Sequence, residues 1–161
     1  MAKRDYNQSE LNSIRDFLIF SSKNGYGNNE VVSVKESDGS TTIEIANNDL
    51  IYSDNYFGGE PYGGRTIISY TGKPVWIMVY YGGIITGLIS MTDLYPYLKK
   101  QLLNPEKDIP VRGPFNDKNG KFSYNLKIEG DLSDFSGLEE IYYEDKLVFK
   151  TRIAGGLVDI K

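Results

Sequence analysis

The sequence predicts an α+β fold, a mostly antiparallel sheet of about seven strands with two helices packed on it. Three observations predict it. Phe122, Tyr124, Leu126 and Ile128 alternate with Ser123, Asn125, Lys127 and Glu129, the period of a strand with one face on a core and one in water. Thr66 to Tyr70 and Pro74 to Tyr81 flank Thr71-Gly72-Lys73, the pattern of a hairpin. Only two segments carry helical spacing, and the strand links are hairpin-short, which disfavours βαβ winding.

Taken in order, residues 1–8 are polar and expected to fray. A helix is predicted from Ser9 as N-cap, with Leu11, Ile14, Phe17, Leu18 and Phe20 on its apolar stripe and Lys23, Asn24 and Gly25 as stop signals. Gly25 to Asn29 reads as a loop. Val31, Val32 and Val34 form a short strand ending at the turn Ser37 to Ser40, and Thr42 to Ile45 pairs with it. Leu50 to Tyr52 reads as strand. Pro74 to Tyr81 is apolar on both faces, so a central strand covered on both sides is expected, with Pro74 at its start where a missing N–H does least harm.

Thr92 or Asp93 opens the second helix, with Pro96 in its first turn and Leu94, Tyr97, Leu98 and Leu102 as its stripe. This stripe should cover one face of the central hairpin, leaving the other to the first helix or a glycine-rich loop. Pro110 to Pro114 is irregular. Phe122 to Glu129 is the alternating strand, and Leu138 to Tyr143 with Leu147 to Ile153 forms the last hairpin. No repeat or linker divides the 161 residues, so one domain spanning 1–161 is expected.

Composition removes several chemistries. The chain has no His and no Cys, which excludes Ser-His-Asp and Cys-His nucleophiles, thiol redox work, iron–sulfur ligation and the usual zinc sites. Carboxylate, Lys, Tyr and Arg chemistry remains, or an all-oxygen metal site; no cofactor and no metal are expected. A net charge of −4 with scattered Lys and Arg argues against a nucleic-acid footprint. The amino terminus has no apolar leader, and the longest apolar run, Pro74 to Tyr81, is too short for a bilayer, so no membrane association and a cytoplasmic location are expected. Tyrosine is over-used, at 13 residues, which suits both half-buried sheet faces and ligand or partner surfaces.

Candidate site residues cluster where the pattern is unusual. In Asp54 to Arg65, two Gly-Gly pairs flank Glu60 and Tyr62, and Arg65 follows. Glycine allows positive φ and close backbone approach, which a ligand loop needs; the same glycines equally serve a bend or a strand crossing. The segment lacks the Gly-Lys-Ser/Thr ending and the following helix of a phosphate loop. Gly82-Gly83 and Gly155-Gly156 repeat the pairing, either around one cleft or as separate turns and bulges. Arg65, Arg112 and Arg152 are the isolated arginines of the sheet, fit to fork onto an anionic ligand or an acid of the fold.

Asp54 with Glu60, and Glu139 with Glu140, are the nearest carboxylate pairs, and in a strand the second pair points to opposite faces. Tyr52, Tyr56, Phe57, Tyr62, Trp76, Tyr80 and Tyr81 concentrate aromatic surface in the first half of the sheet, for packing or for a pocket. The ligand-binding candidates are therefore Asp54, Tyr56, Glu60, Tyr62, Arg65, Trp76, Tyr80, Arg112 and Glu139. No catalytic set stands out.

Several of these positions fall in a longer pattern. Asp54-x-Tyr56-Phe57-Gly58-Gly59-Glu60, Gly72-Lys73-Pro74-Val75-Trp76-x-Met78-x-Tyr80-Tyr81-Gly82, Pro110-x-Arg112-Gly113-Pro114, Gly130-Asp131, Phe135-x-Gly137-x-Glu139 and Gly155-Gly156 together resemble a bacterial and archaeal domain of unknown function over roughly residues 14–158. That domain occurs alone or behind a helix-turn-helix in XRE-type regulators. The resemblance implies a sensing or interaction role and supplies no catalytic residue. A histidine that often precedes the last Gly-Gly in the family is Ala154 here, which argues against a histidine-based role.

The expectation is a non-enzymatic module that binds an unknown small molecule or a protein partner. The alternatives are an enzyme acting on a small polar substrate through Asp54, Glu60 or Glu139 with Arg65, and a homo-oligomer joined through exposed tyrosines. With no room for a DNA-reading domain beside the sheet, the chain is not expected to regulate transcription by itself.

Overall fold

Residues 5–25 and 31–159 are described by the structure, a computed structural model. In chain order the elements are α1 (Gln8–Asn24), β1 (Ser33–Lys35), β2 (Thr41–Asn47), β3 (Leu50–Gly58), β4 (Tyr62–Tyr70), β5 (Lys73–Ile84), α2 (Met91–Leu102), β6 (Asn116–Asn119), β7 (Phe122–Asp131), β8 (Asp134–Tyr143) and β9 (Lys146–Leu157). The fold is α+β, as the alternation and the hairpin signals predict. Most of the loop expected at 25–29 lies outside the described residues.

Among the described residues nine strands, rather than about seven, form one antiparallel sheet in the order β1-β2-β3-β4-β5-β9-β8-β7-β6. Two meanders, β1 to β5 and β6 to β9, are joined where β5 pairs with β9, Tyr80 lying opposite Ile153. The strand missed by pattern is β6, whose Asn-Asp-Lys-Asn sequence carries no apolar period. The other difference is larger. Residues 54–65, where the glycines left a ligand loop and a bend or strand crossing both open, are mostly sheet, with β3 and β4 paired from Leu50–Tyr70 out to Gly58–Tyr62 around a short turn at Gly59, Glu60 and Pro61.

Both helices start earlier than expected. Asn7, not Ser9, caps α1, its side chain accepting from the Glu10 N–H at 2.8 Å. Ser90, rather than Thr92 or Asp93, caps α2 and accepts from the Asp93 N–H at 3.2 Å. Pro96 thus sits in the second turn of α2, where it denies the Thr92 carbonyl its usual donor.

The period of two decides what the sheet buries. Register puts Tyr52, Asp54, Thr66, Ile68, Trp76, Met78, Tyr80, Thr151, Ile153, Glu139, Ile141, Tyr124 and Leu126 on one face. The stripes of both helices, Leu11, Ile14, Phe17 and Leu18 from α1 and Leu94, Leu98 and Leu102 from α2, join that face in a single core. The segment after α2 adds Ile109 and Val111. The opposite face looks outward: Val79 is 48% and Tyr81 61% exposed. So β5 is central, between β4 and β9, yet covered on one side only. An apolar residue on both faces of a strand was insufficient evidence for two covering layers, because tyrosine and valine also suit an exposed sheet surface.

Trp76 anchors the core beneath β5. Its ring is fully buried and stacks on Phe135 with centroids 5.8 Å apart, while Nε1–H donates to the Leu132 carbonyl at 2.9 Å. Trp76 is therefore a core residue, satisfied at its one polar atom. Trp76→Ala is expected to cost about 3–5 kcal/mol, the usual loss for an aromatic removed from a core. Tyr81→Ala, on the open face, should stay within about 0.5 kcal/mol of wild type. Urea unfolding of the two variants checks this; comparable losses would mean that both faces of β5 are covered.

Candidate functional site

The core face is not filled everywhere. Between β3, β4 and β5, the C-terminal half of α1 and residues 110–112, a cavity of about 330 Å³ remains. Period-two geometry puts the cavity groups on one side of their strands: Tyr52, Asp54 and Tyr56 from β3, Tyr62 and Thr66 from β4, and Tyr80 from β5. α1 adds Ser21, the β1–β2 edge adds Lys35 and Thr41, and the segment after α2 brings Arg112.

Arg112 lies against Glu139 of β8, a side chain with no exposed surface. Nε donates to both carboxylate oxygens at 3.1 Å, and Nη2 donates to Oε2 at 2.7 Å. Tyr124 Oη donates to Oε1 at 2.6 Å and itself accepts from the Gly113 N–H at 3.0 Å. The carboxylate is thereby satisfied on both oxygens, as a buried charge requires. Burial opposes the Arg112 charge, but Glu139 more than offsets it and holds the guanidinium well above its ordinary pKa. Nη2 also reaches Tyr62 Oη at 3.3 Å, which in turn lies 3.1 Å from Thr151 Oγ1. The guanidinium carbon lies 6.0 Å from the centre of the Tyr80 ring.

Across that ring sits the second carboxylate. Asp54 is 6% exposed, and its Oδ1 accepts from Tyr80 Oη at 2.6 Å and from Thr66 Oγ1 at 3.4 Å. Its Oδ2 has no hydrogen-bond partner among the described residues. Burial raises the Asp54 pKa above the ordinary carboxyl range, against the pull of Tyr80 and then of Arg112. Burial also raises the tyrosines around it, with the Asp54 charge as the next cause for Tyr52 and Tyr80. Ser21 Oγ, fully buried on α1, likewise meets no partner among the described residues.

Of the residues singled out in the sequence, Asp54, Tyr56, Tyr62, Tyr80 and Arg112 line this cavity, and Glu139 stands behind Arg112. The others lie elsewhere. Trp76 is in the core. Arg65 lies opposite Asn55 in the β3–β4 ladder, faces outward from β4 and is exposed. Glu60 reaches from the β3–β4 turn to accept from the Ile84 N–H and from Tyr95 Oη of α2, so it ties the turn to α2 instead of pairing with Asp54. Gly83 makes this possible, since a Cβ there would collide with the Glu60 carboxylate. The glycine pairs do not share a cleft: only Gly58 and Gly59 line the cavity. At Gly58, φ of +77° starts the turn. Glu140 takes the face opposite Glu139, as the strand period requires, beside Tyr142 at 3.1 Å.

Sequence reasoning did not place Thr66, Ser21, Thr41 or Lys35 in the site, and named Tyr52 only among the aromatic cluster. A signal existed for one of them. Ser21 follows Leu18 by three and Phe17 by four, so it is a polar residue on an apolar stripe.

Three substitutions test this geometry. Glu139→Ala leaves Arg112 buried and unpaired and should cost about 3–5 kcal/mol. Tyr124→Phe removes a hydrogen bond to a charged group and should cost about 1.5–3 kcal/mol. Arg65→Ala should stay within about 0.5 kcal/mol. Chemical denaturation ranks the three; a neutral Glu139→Ala would contradict the pairing.

For Asp54 the folded state holds its proton more tightly than the unfolded chain. Its contribution to stability is therefore present at low pH and is lost as pH rises through the raised folded pKa. Asp54→Asn, which retains an acceptor for Tyr80, should remove that loss. The stability difference between variant and wild type is expected to move in favour of Asn from pH 4 to pH 7. Paired urea midpoints across that range measure it, and a difference moving the other way refutes the raised pKa.

No curated protein and no solved structure matches the chain. A family model does, over residues 54–158 rather than from residue 14, beginning at the cavity carboxylate and ending just past β9. By that match over more than half of its length, the chain belongs to the family described as a domain of unknown function, DUF5680.

Proposed function

We propose that this chain is a non-enzymatic module that binds a small ligand in the cavity on the helix-covered face of its sheet. One observation carries the reading. A cavity of about 330 Å³ keeps Asp54 Oδ2 and the buried Ser21 Oγ without partners among the described residues, since Tyr80 and Thr66 both donate to Asp54 Oδ1. Buried polar groups are costly to leave unsatisfied, and the volume falls in the range of small-molecule sites. The lining fits as well, with four tyrosine rings and a few placed polar groups.

The non-enzymatic part rests on where the carboxylates are. Glu139 is held by Arg112 and Tyr124, and Glu60 by Ile84 and Tyr95. Among the described residues Asp54 alone meets the cavity, without a second carboxyl group to divide acid and base roles. The rival reading, an enzyme acting on a small polar substrate, would need Asp54 to work with Tyr80.

Finer context comes from resemblance and composition. This reading places the module in the cytoplasm of bacteria and archaea, alone or beside a helix-turn-helix regulator, with no nucleic-acid contact of its own given the acidic balance. No helix among the described residues is long and apolar enough to cross a membrane. Protein partners, a second copy included, would meet the outward sheet face around Val79 and Tyr81.

A thermal-shift screen of small polar metabolites against wild type and Gly59→Trp tests the cavity. Gly59 lines it, and a side chain there meets open space. A true ligand at about 100 times its Kd should raise Tm by roughly 5–10 °C. Gly59→Trp should abolish the shift while keeping its own Tm. Hits that survive the substitution would locate binding elsewhere, and turnover of a hit would favour the enzyme.

A further inference from the structure

Resting on that reading, we infer that the cavity selects a small organic cation, a primary ammonium carried on an apolar or aromatic body, with Asp54 Oδ2 as its anchor. The charges argue for it. Arg112 and Glu139 cancel in a three-bond pair, leaving Asp54 as the surplus charge inside the cavity. The other cation in the lining, Lys35, is exposed at the β1 edge, where water screens it.

The acceptors argue for it too. Asp54 takes its donors, Tyr80 and Thr66, on Oδ1 and leaves Oδ2 without one among the described residues, and Ser21 Oγ on the facing helix lacks one there as well. An ammonium offers three N–H donors. Around them Tyr52, Tyr56, Tyr62 and Tyr80 supply the π faces that hold an organic cation once water is excluded. The Tyr62 and Tyr80 rings meet edge to face at 5.9 Å, so one wall is already ordered.

The opposing feature is Arg112 Nη1, which has no partner among the described residues and would donate to a carbonyl or a carboxylate. Its charge, however, is already matched by Glu139, so a second anion would find little net attraction there. A neutral acceptor on the ligand suits Nη1 better. Burial favours the neutral form of Asp54, and an ammonium at Oδ2 would favour the ionised form and expel the proton.

Three probes of one size separate the possibilities: benzylammonium, benzyl alcohol and benzoate, titrated at pH 7.5 and followed by amide NMR shifts of cavity residues in wild type and Asp54→Asn. Benzylammonium should bind at least about tenfold more tightly than benzyl alcohol, and Asp54→Asn should erase that margin while changing the alcohol by less than about twofold. Benzyl alcohol or benzoate binding as well as the ammonium would overturn the cation assignment and leave the cavity as a ligand site. Silence of the cavity amides to all three would overturn the ligand site itself, and the assignment with it.

Discussion

A guanidinium leaves water only in company, and in this fold Arg112 goes in with Glu139. The pair links two parts of the chain that no backbone ladder joins: the irregular segment after α2 and the middle of β8. Tyr124 extends the link to β7 and, through the Gly113 N–H, back to that same segment. Because one carboxylate is served by three donors from two places, the segment is held at a fixed depth over the sheet. That depth sets the roof of the cavity.

The arrangement also explains why two carboxylates on one buried face behave differently. Glu139 has a full set of donors and a partner of opposite charge. Asp54 has one good donor, Tyr80, a longer one from Thr66, and a cation that is already engaged elsewhere. Desolvation costs both groups, but only Glu139 is compensated within the fold. The Tyr80 ring stands between them, taking the guanidinium on its face and giving its hydroxyl to Asp54. One centre is closed and the other is left open toward the cavity.

Much of this architecture was legible in the residues, for physical reasons that also mark the limits. Phe122 to Glu129 alternates because β7 has a wet side and a dry one, and the helical stripes repeat because each helix buries one face. The period fails where a strand buries nothing: β6 is Asn-Asp-Lys-Asn and sits at the sheet edge. It misleads at β5, where Val79 and Tyr81 are apolar and yet exposed. Residues 54–65 stayed ambiguous for another reason, since glycines that let strands pass at close range carry the same letters as glycines of a loop. The aromatic and carboxylate candidates at 54, 56, 62 and 80 come together because their shared parity puts them on one face once the register is known. That Arg112, of the three isolated arginines, joins them depends on a contact 27 residues away in sequence, which no local pattern encodes.

The family match divides the cavity in an informative way. Asp54, the tyrosines at 56, 62 and 80, Thr66, Arg112 and the supporting Glu139 all fall within residues 54–158. Ser21, Ser22, Ser33, Lys35, Thr41 and Tyr52 fall before it, on α1, the β1–β2 edge and the start of β3. The matched part alone would present its charge and rings on a sheet face as an open groove, bathed by water that weakens every electrostatic contact in it. α1 and β2 convert that groove into a walled cavity and contribute hydroxyl groups instead of further charge. Binding strength and ligand choice then have separate origins: the buried Asp54–Tyr80–Arg112 arrangement supplies the electrostatics, and the amino-terminal elements supply the enclosure that makes those electrostatics count.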